Sequence, residues 1–570
     1  MIGGSATVSR AGRSAALKLA LASALAVAAA TPGVAAAPTA LVNGHIYAAG
    51  KQVEAIGLAD GKVAAIGDRA TVLAALPKDA AVIDLAGATV FPGFHDSHVH
   101  PLAAGMLLTK CTFPQDADRA RIQTAVAACV KAAKPGAWIT GGQWTAATLA
   151  AGELDRVTLD AVAPNNPVSL VDTSGHSYWL NSAGLAAAGI TAATATPAGG
   201  VIEKDASGKP TGLLRDAAAA IARRAIPPAE PAETLAALRN ALSTLTANGI
   251  TSLTDAIVQQ DNLAAYMALA EEGALKQRVR GCLLWGETNP EFEALLTDRA
   301  KYARPTFKLD CVKVFMDGVP TESHTSAMLA PYEKTTGTPA GAPERGLLMI
   351  APDVIDPLTT RLDKMGVMVK FHAAGDWAVR ASIDAVAAAR KANGTAGPSH
   401  QVGHLTFVDQ ADMARAKPLG LTLEYSPYLW FPQPIVEDIE KAVGEERNLR
   451  AWPVAEGLAT GALAVVGSDW PIVPSPSPWI AIETLVTRKS PGNAGTAYGA
   501  KEAVTLDQAI ALFNSAGGDA FGDGSGRLTP GTPADLVVVD KDPHGLPIGE
   551  VHTIKTLRTV IGGETVYEAR

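Results

Sequence analysis

The chain has 570 residues and a formal net charge of −8, with acidic and basic residues interspersed along it. That leaves no basic stripe for nucleic acid and no polybasic patch for a membrane surface, so small molecules are the expected partners. The length exceeds one average domain, yet it fits a barrel with insertions plus a satellite.

In chain order, Arg10, Arg13 and Lys18 precede LALASALAVAAA and a run of small residues up to Ala37, the pattern of a secretory signal peptide. The apolar stretch is about a dozen residues, short of the roughly 20 needed to span a bilayer. Residues 1–37 are therefore expected to be cleaved, leaving an exported protein, periplasmic or secreted, with no stable membrane anchor. Next, ALVNGHIYAAGKQVEAIGLADGKVAAIGDRATV alternates apolar and polar residues around Asn-Gly and Asp-Gly turns, as short antiparallel strands do. The C-terminal ADLVVVDKDP and LRTVIGGETVYEAR read alike. Residues 38–90 and 527–570 are thus expected to meet in one composite β-sandwich.

Between them, over residues 91–526, eight apolar, β-branched runs alternate with alanine-rich helical segments. The runs are Phe91 to His100, Gly249 to Asp255, Arg278 to Trp285, Cys311 to Asp317, Val367 to His372, Gln401 to Leu405, Leu421 to Ser426 and Ala464 to Asp469. Eight β/α units point to the α/β class and a closed (β/α)8 TIM barrel. About 145 residues separate the first two runs, too many for a loop. An inserted subdomain over about 105–248 is expected, placed to cap a pocket. None of the four cysteines forms a C-x-x-C pair. Export would permit a disulfide, and Cys111 with Cys129, both in the insertion, is the preferred couple.

Six polar residues then stand out at the ends of these runs: His98 and His100 in FPGFHDSHVHP, Lys313 in CVKVFMDG, His372 in VMVKFHAAGD, His404 in HQVGHL and Asp469 in ALAVVGSDW. His98 and His100 are two apart, so a pleated strand points both the same way. Active sites of such barrels occupy the C-terminal face of the strands. Neutral imidazoles and a carboxylate suit a divalent first-row metal, zinc being the expected one, with an open position for water. An ammonium at Lys313, flanked by Val312 and Val314 on a buried strand, would be costly unless paired or modified. Asp317 and Gly318 are expected to shape the turn after the fourth strand. His176, Trp179, His324, Tyr428 and Trp430 are candidate pocket residues, each equally suited to packing.

These segments, with GHSYWLNSAGLAAAGI, VKVFMDGVPTESHTSAMLAPY, GSDWPIVPSPSPW and GRLTPGTPADLVVVDKDP, resemble in order the blocks of the amidohydrolase superfamily. The resemblance is to its family 3 branch, which includes N-substituted formamide deformylases. It implies a binuclear-capable barrel that hydrolyses amide-like bonds. His98 and His100 then match ligands of one metal, completed by Asp469, and His372 and His404 match ligands of a second. Lys313 matches the lysine that bridges two metals once carboxylated, so one or two ions are implied per chain. Family members often dimerise.

The implied mechanism has Asp469 take a proton from water as it attacks the carbonyl and return it to the leaving nitrogen. His176 or His404 would donate to the carbonyl oxygen. Two departures from the family pattern stand out: Gly403 precedes His404 where an acidic residue is common, with His400 a nearby competitor, and Trp377 stands where arginine is frequent. Two alternatives remain open. One is a heterocycle deaminase or other cyclic-amide hydrolase on the same barrel, the deaminase being disfavoured because AAGD follows His372 in place of a histidine-x-glutamate. A non-catalytic binding protein is disfavoured because the polar set is complete.

Overall fold

The computed structural model describes residues 37–570 apart from 49, 115, 146–148, 150–151, 174, 176, 198–199, 287–288, 322–323, 335–343 and 430–433. The leader thus lies outside the described residues save for Ala37. No helix among those described is long and apolar enough to cross a membrane.

A (β/α)8 barrel forms the centre. Its strands are β1 (Phe94–Val99), β2 (Ile250–Val258), β3 (Arg278–Leu284), β4 (Phe307–Phe315), β5 (Met368–Ala373), β6 (Gln401–His404), β7 (Thr422–Tyr425) and β8 (Leu463–Val466). They lie side by side in chain order, each parallel to the next. At the C-terminal rim the ring is closed by backbone bonds: the Asp469 N–H donates to the His98 carbonyl (2.7 Å) and the His100 N–H to that of Trp470 (3.0 Å). The helix Asp376–Asn393 shows why the alternation works, since Val379, Ile383 and Val386 recur at helical spacing and are all buried. It stops where Gly394 takes a φ of +88°.

Two of the expected strands are redrawn. The run from Phe91 to His100 is two strands: Thr89–Pro92 pairs antiparallel with Leu536–Val539 outside the barrel, and β1 starts only at Phe94. Both halves are fully buried, so hydrophobicity alone does not mark the handover at Pro92-Gly93. β4 begins at Phe307, earlier than the expected Cys311, because Lys308 and Asp310 interrupt the apolar run yet find partners. Lys308 Nζ donates to the Phe521 carbonyl (2.9 Å), and Asp310 accepts from Arg280 (2.8 Å).

Both chain ends build two further sheets. One has the order Lys62–Gly67, Ala55–Ala59, Thr39–Val42, Ala81–Asp84; the other runs Glu564–Glu568, Thr556–Ile561, Leu536–Val539, Thr89–Pro92, His45–Ala48, Lys51–Val53. Leu41, Ile56 and Val63 of the first share an apolar cluster with Ile46, Val90, Leu536 and Val560 of the second, which makes the pair a sandwich. Arg278 at the start of β3 pairs with the buried Asp535 (2.6 Å), fastening the sandwich to the barrel.

Between β1 and β2 a six-stranded sheet, from Cys111–Thr112 to Pro210–Asp216, carries its own apolar clusters. The helices Pro101–Leu108 and Pro231–Ala247, on either side of this sheet in the chain, pack on each other. A side chain at Gly105 would sit 1.9 Å from the Ala237 carbonyl, so only glycine permits that approach. Cys111 is bonded to Cys129, and Cys282 to Cys311 across the β3–β4 pair. The second bridge was not expected from sequence.

Candidate metal centre

The pleat of β1 places Asp96 and His98 on one face, and His100 follows as the N-cap of the helix Pro101–Leu108. Asp469 lies beyond β8 at a φ of +59°, and His404 closes β6 at +71°. Left-handed backbone at a non-glycine residue costs of order 1 kcal/mol or more and persists only where the surroundings enforce it. Here both residues line the cavity at the barrel mouth, as do His98, His100, Lys313 and His372.

Donor atoms of His98, His100 and Asp469 all fall within 4.8 Å of one another. His100 Nε2 is 3.2 Å and His98 Nε2 3.8 Å from Asp469 Oδ1. Ligands at about 2.0–2.1 Å from a tetrahedral zinc stand about 3.3 Å apart, so this trio fits a first-row divalent cation with small adjustments. His404 is packed between the others, its ring centroid 4.7 Å from that of His98 and 4.4 Å from that of His372, with Nδ1 3.9 Å from Asp469 Oδ2. His372 Nε2 lies 3.0 Å from the Gly318 carbonyl, which can only accept, so the neutral ring carries its lone pair on Nδ1. Lys313 Nζ is 3.2 Å from His98 Nε2.

Burial, reinforced by neighbouring cationic groups, holds the His98 and His404 imidazoles well below the usual histidine range. The neutral ring is the form that binds a metal. Burial, followed by the charge of Lys370, pushes Lys313 down to about 7, against the pull of Glu424 and Asp469.

Beneath the ligands lies a network that sequence reasoning missed. Glu424 on β7 accepts from His98 Nδ1 (2.9 Å) and from Lys370 Nζ (3.1 Å), and Lys370 also donates to the Ser97 carbonyl and Gln401 Oε1 (3.0 Å each). Glu424 and Lys370 are completely buried. A carboxylate accepting at Nδ1 fixes the tautomer and turns the Nε2 lone pair of His98 toward the site. Asp96 accepts the backbone N–H groups of His98 (3.1 Å) and Ser468 (2.9 Å) and the Ser468 hydroxyl (2.6 Å), tying β1 to the loop that carries Asp469. Burial raises its carboxyl to about 7.

The departure at β6 now has a physical account. A Cβ at Gly403 would lie 2.3 Å from Glu424 Oε2, so a carboxylate from the neighbouring strand fills the space that a side chain before His404 would need. His400 is no rival: its Nδ1 accepts from the Val369 N–H (2.9 Å) and its Nε2 meets Asp363 (3.0 Å), outside the cavity lining. Asp317 accepts the N–H groups of Ala327, Ala374 and Gly375, which shapes the turn after β4.

The cavity holds about 860 Å³, with walls that include Leu102, Ile257, Phe315, Met349, Ile439 and Trp452. Three candidate substrate-binding residues are not among its lining. Trp179 is fully buried in the insertion, edge-on to Trp144, because its large apolar ring is what holds that small core together. His324 stacks on Tyr332 with centroids 4.4 Å apart, and the Tyr428 hydroxyl donates to the Pro476 carbonyl (3.2 Å). His176 and Trp430 lie outside the described residues. Trp377 is exposed at the start of its helix.

Residues 81–567 match the Amidohydrolase family. The chain is 28% identical over 528 residues to the N-substituted formamide deformylase of Arthrobacter pascens, covering 90% of this chain and 95% of that one. It is 27% identical over 544 residues to LONG AFTER FAR-RED 3 of Arabidopsis thaliana, covering 92% and 91%. A metal-dependent hydrolase from Pyrococcus furiosus aligns at a TM-score of 0.69 and 25% identity, covering 89% of this chain and 99% of that one. One from Pyrococcus horikoshii shares the fold at 0.72 and 22% identity, covering 90% and 99%. With the family matched over most of its length and the polar set gathered at the barrel mouth, the chain belongs to the amidohydrolase family and is a hydrolase acting on carbon–nitrogen bonds.

Proposed function

We propose that the protein is an exported, metal-dependent hydrolase that cleaves a non-peptide amide, an N-acyl or N-formyl C–N bond. The observation that carries the reading is the meeting of His98, His100 and Asp469 donor atoms, at mutual distances suited to a first-row cation, on a largely apolar cavity. Zinc is the expected ion. When bound, it supplies Lewis acidity and makes water a stronger acid near neutrality. Asp469 takes the proton of the attacking water and delivers it to the departing nitrogen, while His404 beside it orients the carbonyl oxygen. Lys313, as an amine, is suited to carboxylation, which would let it share in holding a second ion with His372 and His404. A relative named for formamide deformylation supports the amide class.

Product analysis separates this reading from ring deamination. Incubating the zinc-loaded enzyme with N-formyl and N-acetyl alkylamines, and separately with aminated heterocycles, is expected to release acid plus amine from the former and no ammonia from the latter. Ammonia from a heterocycle, with all amides intact, would favour the deaminase.

Export rests on the basic-then-apolar leader and on the pairing of all four cysteines in two disulfides, since disulfides persist in oxidising compartments. N-terminal sequencing of the protein recovered from an osmotic-shock fraction should begin near residue 38; an intact Met1 in the cytoplasmic fraction would refute it.

A further inference from the structure

We infer that the natural substrate carries an anionic group, a carboxylate, at the end remote from the scissile bond, and that Arg223 receives it. This rests on the amide-hydrolase reading and sharpens it. The helix Ala219–Ala225, supplied by the insertion, delivers Arg223 to the lining of the same cavity that holds the candidate ligands. Its guanidinium lies over the ring of Tyr178, 5.6 Å from the centroid, an arrangement that holds the planar fork in place by cation–π attraction. Among the described side chains no carboxylate lies within ion-pair distance of it, whereas two other arginines of the insertion face one: Arg156 faces Asp205 (3.8 Å) and Arg215 faces Glu203 (3.9 Å).

The rest of the lining narrows what that fork can be for. Among the described lining residues Asp469 is the only acid, and it belongs to the candidate metal trio. Lys313, the other basic residue there, is fully buried beside His98. Asn262, polar and close to the end of β2, is spent on a helix cap, accepting from the Gln259 N–H (3.2 Å) and donating to the Ile257 carbonyl (3.2 Å). The lining further includes the apolar Leu102, Ile257, Phe315, Met349, Ile439 and Trp452, with Gln259, Thr321 and Thr406 as its other polar members. A cavity with the candidate metal ligands, largely apolar walls and one guanidinium that meets no carboxylate among the described side chains matches an amide whose apolar spacer ends in a carboxylate, the planar anion that a guanidinium grips through two parallel N–H bonds. Arg223 is exposed at the rim, so the gain is modest compared with a buried pair.

The test uses the zinc-loaded, full-length mature enzyme and two matched series: N-formyl and N-acetyl ω-amino acids from propionate to octanoate, and the corresponding N-acylated alkylamines without the carboxylate. The expected result is a kcat/KM ratio, acid to neutral, of about tenfold at the best spacer length, carried mainly by KM. That ratio falls to about one in Arg223→Met, is partly kept in Arg223→Lys and drops below one in Arg223→Glu. Equal turnover of both series by the wild type, or a preference for the acid that survives Arg223→Met, overturns the inference and leaves the hydrolase reading standing. Hydrolysis of neither series by enzyme that retains its zinc overturns both.

Discussion

Asparagine in place of Asp469 should lower kcat by about a thousandfold while leaving the fold intact. The substitution keeps size and shape, and the backbone bond from residue 469 to the His98 carbonyl is untouched. What disappears is the carboxylate placed beside the candidate metal ligands to accept a proton from water and return it to nitrogen, and general acid–base catalysis contributes about 10²–10⁴-fold. The loss should fall on kcat more than on KM, because the carboxylate acts in the proton transfers and not in gripping the substrate. Steady-state kinetics at saturating zinc, with far-UV circular dichroism as the folding control, measures this. A variant within threefold of wild-type kcat would remove Asp469 from the proton path.

Removing Glu424 should do comparable damage by another route. It is the acceptor that orients His98 and also the counter-charge of a fully buried lysine. Loss of such an outer carboxylate typically weakens metal binding by about 10–100-fold, and leaving one member of a buried ion pair unpaired costs about 3–5 kcal/mol. Glu424→Ala is therefore expected both to bind zinc more weakly and to unfold at lower temperature. The two effects separate in the double variant Glu424→Leu/Lys370→Met, which removes both charges and should regain most of the stability but none of the affinity. Chelator competition gives the zinc Kd and calorimetry the Tm. Wild-type affinity in the double variant would show that Glu424 serves only to neutralise Lys370.

The contrast between those two residues shows what was legible in the sequence. Asp469 and the histidines could be read because each ends an apolar strand, and the order of such strands fixes a barrel whose C-terminal rim collects them. Glu424 and Lys370 sit in the same kind of context, between Leu423 and Tyr425 and between Val369 and Phe371. Like Lys313, each is a charged side chain flanked by apolar residues on a buried strand. They escaped because their partners lie on other strands, 54 residues apart from each other and, for Glu424 and His98, 326 apart. Spacing along the chain carries no trace of such pairs.

Aromatic residues were harder still. Trp179, Tyr428 and Trp452 look alike in sequence, yet only Trp452 lines the cavity, since which face of a ring meets solvent is decided by tertiary packing. Arg223 was invisible for a similar reason. Nothing in AAAIARRAIPP distinguishes it from Arg224; only the docking of the insertion over the barrel mouth brings one of the two to the cavity.

Elemental analysis of the mature protein, purified without added metal and again after zinc reconstitution, bears most directly on the reading of this site as a metal centre. At least one equivalent of a divalent first-row metal per chain is expected, lost in His98→Ala/His100→Ala. A second equivalent, lost selectively in Lys313→Ala, is expected where that lysine is carboxylated. No metal in either preparation, with the double alanine variant indistinguishable from wild type, would contradict the account.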